Sequence, residues 1–402
     1  MRASGTEAAS YRAYIDWRLV EQEFQRAQEL IESYDEELRS QLPEGPGIFD
    51  AHVHLGNDID GQRGVYEELE RINDAAGISR CFMFCMDEAD RHPAFRAPND
   101  RTLEYAKQSE GRLIPFVRLD LTESPIEEAE RCLDLGARGI KLHPRAQRFM
   151  LNDERLAPVF AIASERRVPI LIHGGRGLPP IADHLARLVE SYPDAQLIIA
   201  HAGIADLTGL AGRFGGRAGV YFDTSVWSAV DLLSFFHLVA PEQVLYASDY
   251  PYGRPPSSLL IAVRTARAAG FDDDQLRDML AGSANRIARG EPPKEPTRPT
   301  GDGVFSQPMT MARIHQYLSM ATPLLWMRQA DSIGVIGLAL NAADERDGYA
   351  GKELDEFREL LTTARDLWRV FPEVEEEDLN EVSRVTRGLV HIADILAVTT
   401  RA

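Results

Sequence analysis

Between residues 45 and 290 short apolar runs alternate with stretches of helical periodicity, the mark of repeated strand-helix units around a parallel sheet. Eight strand-like runs are read: IFDAHV, RCFMFCM, LIPFVRL, RGIKLH, VPILIH, QLIIAH, GVYFDT and VLYASD. Many are followed by amphipathic segments such as PIEEAERCLDLG and PIADHLARLVESY. Eight units favour a closed (β/α)8 TIM barrel over an open sheet, so the chain is expected to be α/β.

The pattern changes on both sides of that region. From about Tyr11 to Gln41, apolar residues including Tyr14, Trp17, Val20, Phe24, Ala27, Leu30 and Ile31 recur at helical spacing among Glu and Arg, predicting one amphipathic N-terminal helix within residues 1–44. Pro and Gly dominate RGEPPKEPTRPTGDG, which predicts a linker over 291–308. Residues 309–402 show helical periodicity with no strand-like alternation, which predicts an all-α module that the N-terminal helix could complete.

Composition narrows the function. The 402-residue chain exceeds one ordinary domain, and 44% hydrophobic with 27% charged residues is ordinary globular usage. A net charge of -19 disfavours nucleic acid and anionic membrane as partners. Three cysteines, Cys81, Cys85 and Cys132, suggest neither a disulfide framework nor a zinc knuckle. With no apolar leader near the start and no run of roughly 20 apolar residues, the expectation is a cytoplasmic, non-membrane protein.

Candidate chemistry gathers at the strand ends. His52 and His54 stand two apart, so both imidazoles project from one face of the first strand. His173, His201 and Asp249 close VPILIH, QLIIAH and VLYASD, where a barrel carries its catalytic groups. One strand-end histidine is more often structural than functional; recurrence on strands one, five, six and eight is what points to a metal. Imidazoles with a carboxylate suit Zn²⁺, or another divalent ion such as Mn²⁺, at one ion per chain.

The motifs FDAHVHLG, GIKLHP, PILIHGG, LIIAHAG, YASDYPYG and GSANRIAR resemble the amidohydrolase-related (amidohydrolase 2) family of the amidohydrolase superfamily over residues 45–290. The resemblance implies that His52, His54, His173 and Asp249 hold the metal, while His201 contacts the activated water or the substrate. It makes His201 and Asp249 the expected catalytic pair. It also draws attention to Lys141, since binuclear members of the superfamily bridge two metals through a carbamylated strand-four lysine; a single metal is favoured here. His143 shares a strand face with Lys141, so either residue is a candidate for a second metal or for substrate, and His143 could instead orient a loop.

Arg118, Arg145, Arg148, Arg176 and Arg254 follow strand ends in an otherwise acidic chain, so a carboxylate-bearing small molecule is the expected partner, with Arg118, Arg145, Arg176 and Arg254 as its contacts. Trp227, Tyr250 and Tyr252 offer either an aromatic wall or ordinary packing. His92 on the strand-two loop, and His184, His237, His315 and His391 within helical patterns, are expected to be structural or solvated. The leading expectation is a hydrolase that uses metal-activated water on an amide, ester or lactone carbonyl. The alternatives are a non-oxidative decarboxylase of an aromatic or enoic acid, and a non-enzymatic scaffold acting through the helical module. That module is also the expected contact for any homo-oligomer, and its acidic run EVEEED is read as a solvated face.

Overall fold

The structure is a computed structural model, and it describes residues 17–45, 47–301, 303, 306–329, 331–345, 351–370 and 379–400. Two compact units divide the chain: one runs from Leu42 to Val304, and the other joins the segment ending at Gln41 to the segment beginning at Phe305.

The larger unit carries nine strands: β1 (Ile48–Asn57), β2 (Arg63–Gly64), β3 (Ile78–Cys85), β4 (Leu113–Arg118), β5 (Gly139–Leu142), β6 (Ile170–Ile172), β7 (Leu197–Ile199), β8 (Val220–Asp223) and β9 (Val244–Leu245). Apart from β2, neighbours in the order β1-β3-β4-β5-β6-β7-β8-β9 pair in parallel. These are the eight runs read from the sequence. Their ends join: Ala51 N–H donates to the Tyr246 carbonyl at 2.9 Å, Asp249 N–H to His52 at 3.0 Å, and His54 N–H to Tyr250 at 2.8 Å. The sheet is a closed (β/α)8 barrel. The two-residue β2, which the sequence pattern did not predict, pairs antiparallel with the end of β1.

Alternation along the strands fills the barrel. Phe49, Ala51, Phe82, Phe84, Phe116, Leu171, Ile198, Tyr221, Leu245 and Ala247 form one core cluster, joined by Ala281, Ala284 and Ile287 from the chain that follows the last strand. Gly139 is required beside it, since a Cβ there would lie 2.6 Å from the Phe116 ring. The inward rows then continue past the core. Two residues beyond Phe116, Leu171, Tyr221 and Ala247 stand Arg118, His173, Asp223 and Asp249, and two beyond Gly139 stands Lys141. On β1 the pairing register slips between Asp50 and Val53. That irregularity changes the phase of the strand, so His52 and His54 lie against the core ring of Phe84, with centroids 5.0 and 4.6 Å away.

The smaller unit is helical: Trp17–Gln41, Met309–Trp326, Ser332–Asp344, Gly351–Val370 and Leu379–Thr399. Ala27, Tyr34 and Leu38 form the buried stripe of the first helix, and Ile31 packs close to Gly388. The expected helix start near Tyr11, and the run EVEEED, lie outside the described residues. The proline-rich segment is tied down in the larger unit by Lys294 to Asp278, by Thr297 to Glu242, and by the Thr300 carbonyl to His237 at 3.1 Å. Among the described residues no helix is long and apolar enough to cross a membrane.

Candidate metal centre

Three ligand-type atoms meet where β1 adjoins the end of β9. His52 Nε2 and His54 Nε2 are 3.1 Å apart, and Asp249 Oδ1 lies 3.3 Å from each. All three residues are buried. His52 Nδ1 faces Asp223 Oδ2 at 2.8 Å and so carries the proton, which leaves a lone pair on Nε2 at the meeting point. Lys141 Nζ lies 3.2 Å from that lone pair and 4.5 Å from the centre of the Phe84 ring. Two imidazole nitrogens and a carboxylate oxygen meeting in a buried site are a donor set that fits a divalent cation.

His173 and His201 form a second pair beside the first. His201 Nε2 lies 3.0 Å from His173 Nδ1, and the His52 and His201 ring centres are 5.2 Å apart. His173 Nε2 points at the Arg176 carbonyl at 3.4 Å. Its ring stacks on His143 at 4.0 Å. His143 caps the short helix Pro144–Gln147, with its Nδ1 accepting from Ala146 N–H at 3.2 Å, so it orients a loop and backs His173.

Burial dominates the electrostatics. It pushes His52, His54 and His143 well below the usual histidine range, His173 down to about 2, and His201 down against the opposing pull of Asp223. Burial likewise pulls Lys141 down to about 7 and drives Asp249 well above the carboxylate range, with each partly restrained by the other's charge. Neutral imidazoles are the form a metal requires.

The predicted arginines separate. Arg118 is buried over the Phe95 ring at 4.9 Å; its Nη1 reaches the Cys85 carbonyl only at 3.5 Å, and its Nε and Nη2 have no partner. Arg145 and Arg176 are exposed, and Arg145 lies across Gly177, where an added Cβ would meet its Cδ at 2.8 Å. Arg254 is paired with Glu68 at 2.5 Å. The buried Tyr250 hydroxyl donates to the same Glu68 at 3.1 Å, so these two residues belong to one ion-pair group and not to the three meeting ligand atoms. Tyr252 stands edge-on to His54 at 5.8 Å. His92 is exposed and bonded to Glu123 at 3.0 Å.

Three residues that the sequence reading passed over complete the surroundings. Asp223 joins His52 to the β7 end, and Ser225 contacts His201 Nδ1 through both its hydroxyl and its carbonyl at 2.9 Å. Asp50, raised to about 7 by burial, accepts N–H groups from His52 at 3.1 Å and Ser248 at 3.0 Å.

A closed barrel with ligand-type side chains at its strand ends defines the class. The family model described as Amidohydrolase matches residues 50–289, and the chain belongs to that family. The chain is also similar to several solved structures. The IDCase of Metarhizium anisopliae is 16% identical, covering 61% of this chain and 98% of its own, with a TM-score of 0.49. The 4-oxalomesaconate hydratase of Rhodopseudomonas palustris is 16% identical, covering 60% and 96%, with a TM-score of 0.46. A TIM-barrel protein of Bordetella bronchiseptica is 16% identical, covering 60% and 98%, with a TM-score of 0.47. No curated protein matches the chain.

Proposed function

We propose that this chain is a metal-dependent hydrolase acting on an amide, ester or lactone carbonyl of a small carboxylate-bearing substrate. The observation that carries this reading is the meeting of His52 Nε2, His54 Nε2 and Asp249 Oδ1 at mutual distances of 3.1 to 3.3 Å. His173 is assigned as the fourth ligand. One Zn²⁺ or Mn²⁺ ion held there would supply Lewis acidity to water and to the substrate carbonyl.

The protein's own groups do the rest. The Asp249 carboxylate takes a proton from the attacking water and returns it to the leaving group. His201, with its Nε2 unprotonated toward the centre, orients the water by accepting a hydrogen bond from it. The two unpartnered nitrogens of Arg118 receive the substrate carboxylate, which relieves a buried cation that the protein leaves unpaired. Arg145 and Arg176 meet the more exposed part of the ligand.

The same buried Arg118 supports decarboxylation as a second reading, because it would hold an acid whose carboxylate is the leaving group. Protein saturated with one equivalent of Zn²⁺ or Mn²⁺ and offered carboxylate-bearing lactones, esters and amides alongside hydroxybenzoate-type acids separates the two. Ring opening or cleavage without gas supports hydrolysis. Carbon dioxide release selects decarboxylation, and a protein that binds no divalent ion overturns both.

A further inference from the structure

Asp223 ends β8 fully buried, and its two oxygens serve two different histidines. Oδ2 faces His52 Nδ1 at 2.8 Å. Oδ1 accepts the backbone N–H of His201 at 2.8 Å, the N–H of Ser225 at 3.1 Å and the Ser225 hydroxyl at 2.5 Å. A hydroxyl has one hydrogen, and this short contact claims it. Ser225 Oγ is therefore an acceptor toward His201 Nδ1 at 2.9 Å, as is the Ser225 carbonyl at 2.9 Å. Facing two acceptors, His201 Nδ1 must carry the ring proton.

We propose that Asp223 is the positioning residue of the centre: one carboxylate holds His52 directly, and His201 through Ser225, in the Nδ1–H tautomer, so that both Nε2 lone pairs face inward. The assignment rests on the metal-centre reading for its consequence, but the tautomers belong to the metal-free protein. An amide of the same shape cannot replace the carboxylate. In Asp223→Asn the amide oxygen is held by the three donors on the Oδ1 side, which turns the NH₂ group toward His52 Nδ1. His52 must then accept at Nδ1 and carry its proton on Nε2, where a ligand needs a lone pair.

The test uses full-length protein with ¹⁵N-labelled histidine. Long-range ¹H–¹⁵N spectra of the metal-free wild type should show Nδ1–H for His52 and His201, assigned by single His→Gln variants. In Asp223→Asn the His52 signal should change to Nε2–H. Zn²⁺ affinity, measured by competition with a chelating dye, should fall roughly 10–100-fold while the circular dichroism spectrum is retained. A folded Asp223→Asn variant that binds Zn²⁺ within twofold of wild type overturns the proposal. Wild-type spectra with Nε2–H on either histidine also overturn it, and they decide the matter without any aspartate variant if that variant does not fold. Failure of the metal-centre reading is separate: wild type would then bind no Zn²⁺ whatever the tautomers.

Discussion

Asp249 donates its backbone N–H to the His52 carbonyl at 3.0 Å and places its Oδ1 3.3 Å from Nε2 of the same histidine. The bond that closes the barrel and the contact that assembles the centre thus come from the same pair. Asp249 also has φ 62°, a left-handed conformation that asparagine tolerates and β-branched residues resist.

Asp249→Asn should consequently keep the fold, with a melting temperature close to wild type, while Zn²⁺ affinity falls at least 10-fold and turnover falls roughly 100-fold or more. Asp249→Val should lose the same functions and a further ~1–2 kcal/mol of stability through the backbone. Metal analysis and thermal melts of the two variants check this, and an active, metal-free Asp249→Asn protein would sink the proposed chemistry.

Arg118 gives effects of opposite sign. The residue is 2% exposed, with Nε and Nη2 unpartnered, so the ligand-free barrel bears a desolvation cost that a bound carboxylate would offset. Arg118→Met should leave the ligand-free melting temperature unchanged or raise it, while KM for carboxylate substrates rises at least about 10-fold, the scale of one lost charge-assisted hydrogen bond. Equal KM values for the two proteins would remove Arg118 from the substrate site.

The barrel was legible because its strands and crossovers repeat in sequence, and the candidate site because strand-end residues of ligand type stand out one by one. Asp223 was no less legible in kind: it follows Tyr221 by two, as His173 follows Leu171. It was passed over because GVYFDT lacks a histidine. The fates of the arginines were beyond the sequence, since only tertiary placement decides that Arg254 meets Glu68 while Arg118 meets no carboxylate among the described residues. The phase of β1 was equally hidden. Strict alternation puts His52 and His54 on one face but opposite Phe49 and Ala51, and only the slip in pairing near residues 50–53 brings both sets into the barrel.

Lys141 distinguishes one metal from two. Its Nζ lies 3.2 Å from His52 Nε2, beside the three ligand atoms, and a one-metal centre would not need it as a bridge. Lys141→Met, close in volume and free of a buried amine, should retain one equivalent of metal by mass spectrometric analysis, as should wild type with or without added bicarbonate. Two equivalents in wild type falling to one or none in the variant would establish the carbamylated bridge instead.

In the helical unit, His315 on Met309–Trp326 faces Asp394 on Leu379–Thr399, with Nδ1 and Oδ1 2.7 Å apart. The hydrogen bond to that carboxylate raises the His315 pKa above its ordinary value of 6.5, against partial burial. A raised folded-state pKa means that the folded form binds the proton more tightly than the unfolded chain. The stabilisation is then complete below the unfolded value and disappears as pH rises through the folded one. Urea denaturation followed by circular dichroism should show the helical unit losing on the order of 1 kcal/mol between mildly acidic and mildly alkaline pH, the scale of one partly buried charged pair. His315→Gln keeps a donor but cannot charge, so its stability should lack that component of the slope. Identical pH slopes in the two proteins would show that Asp394 holds His315 without favouring its protonated form.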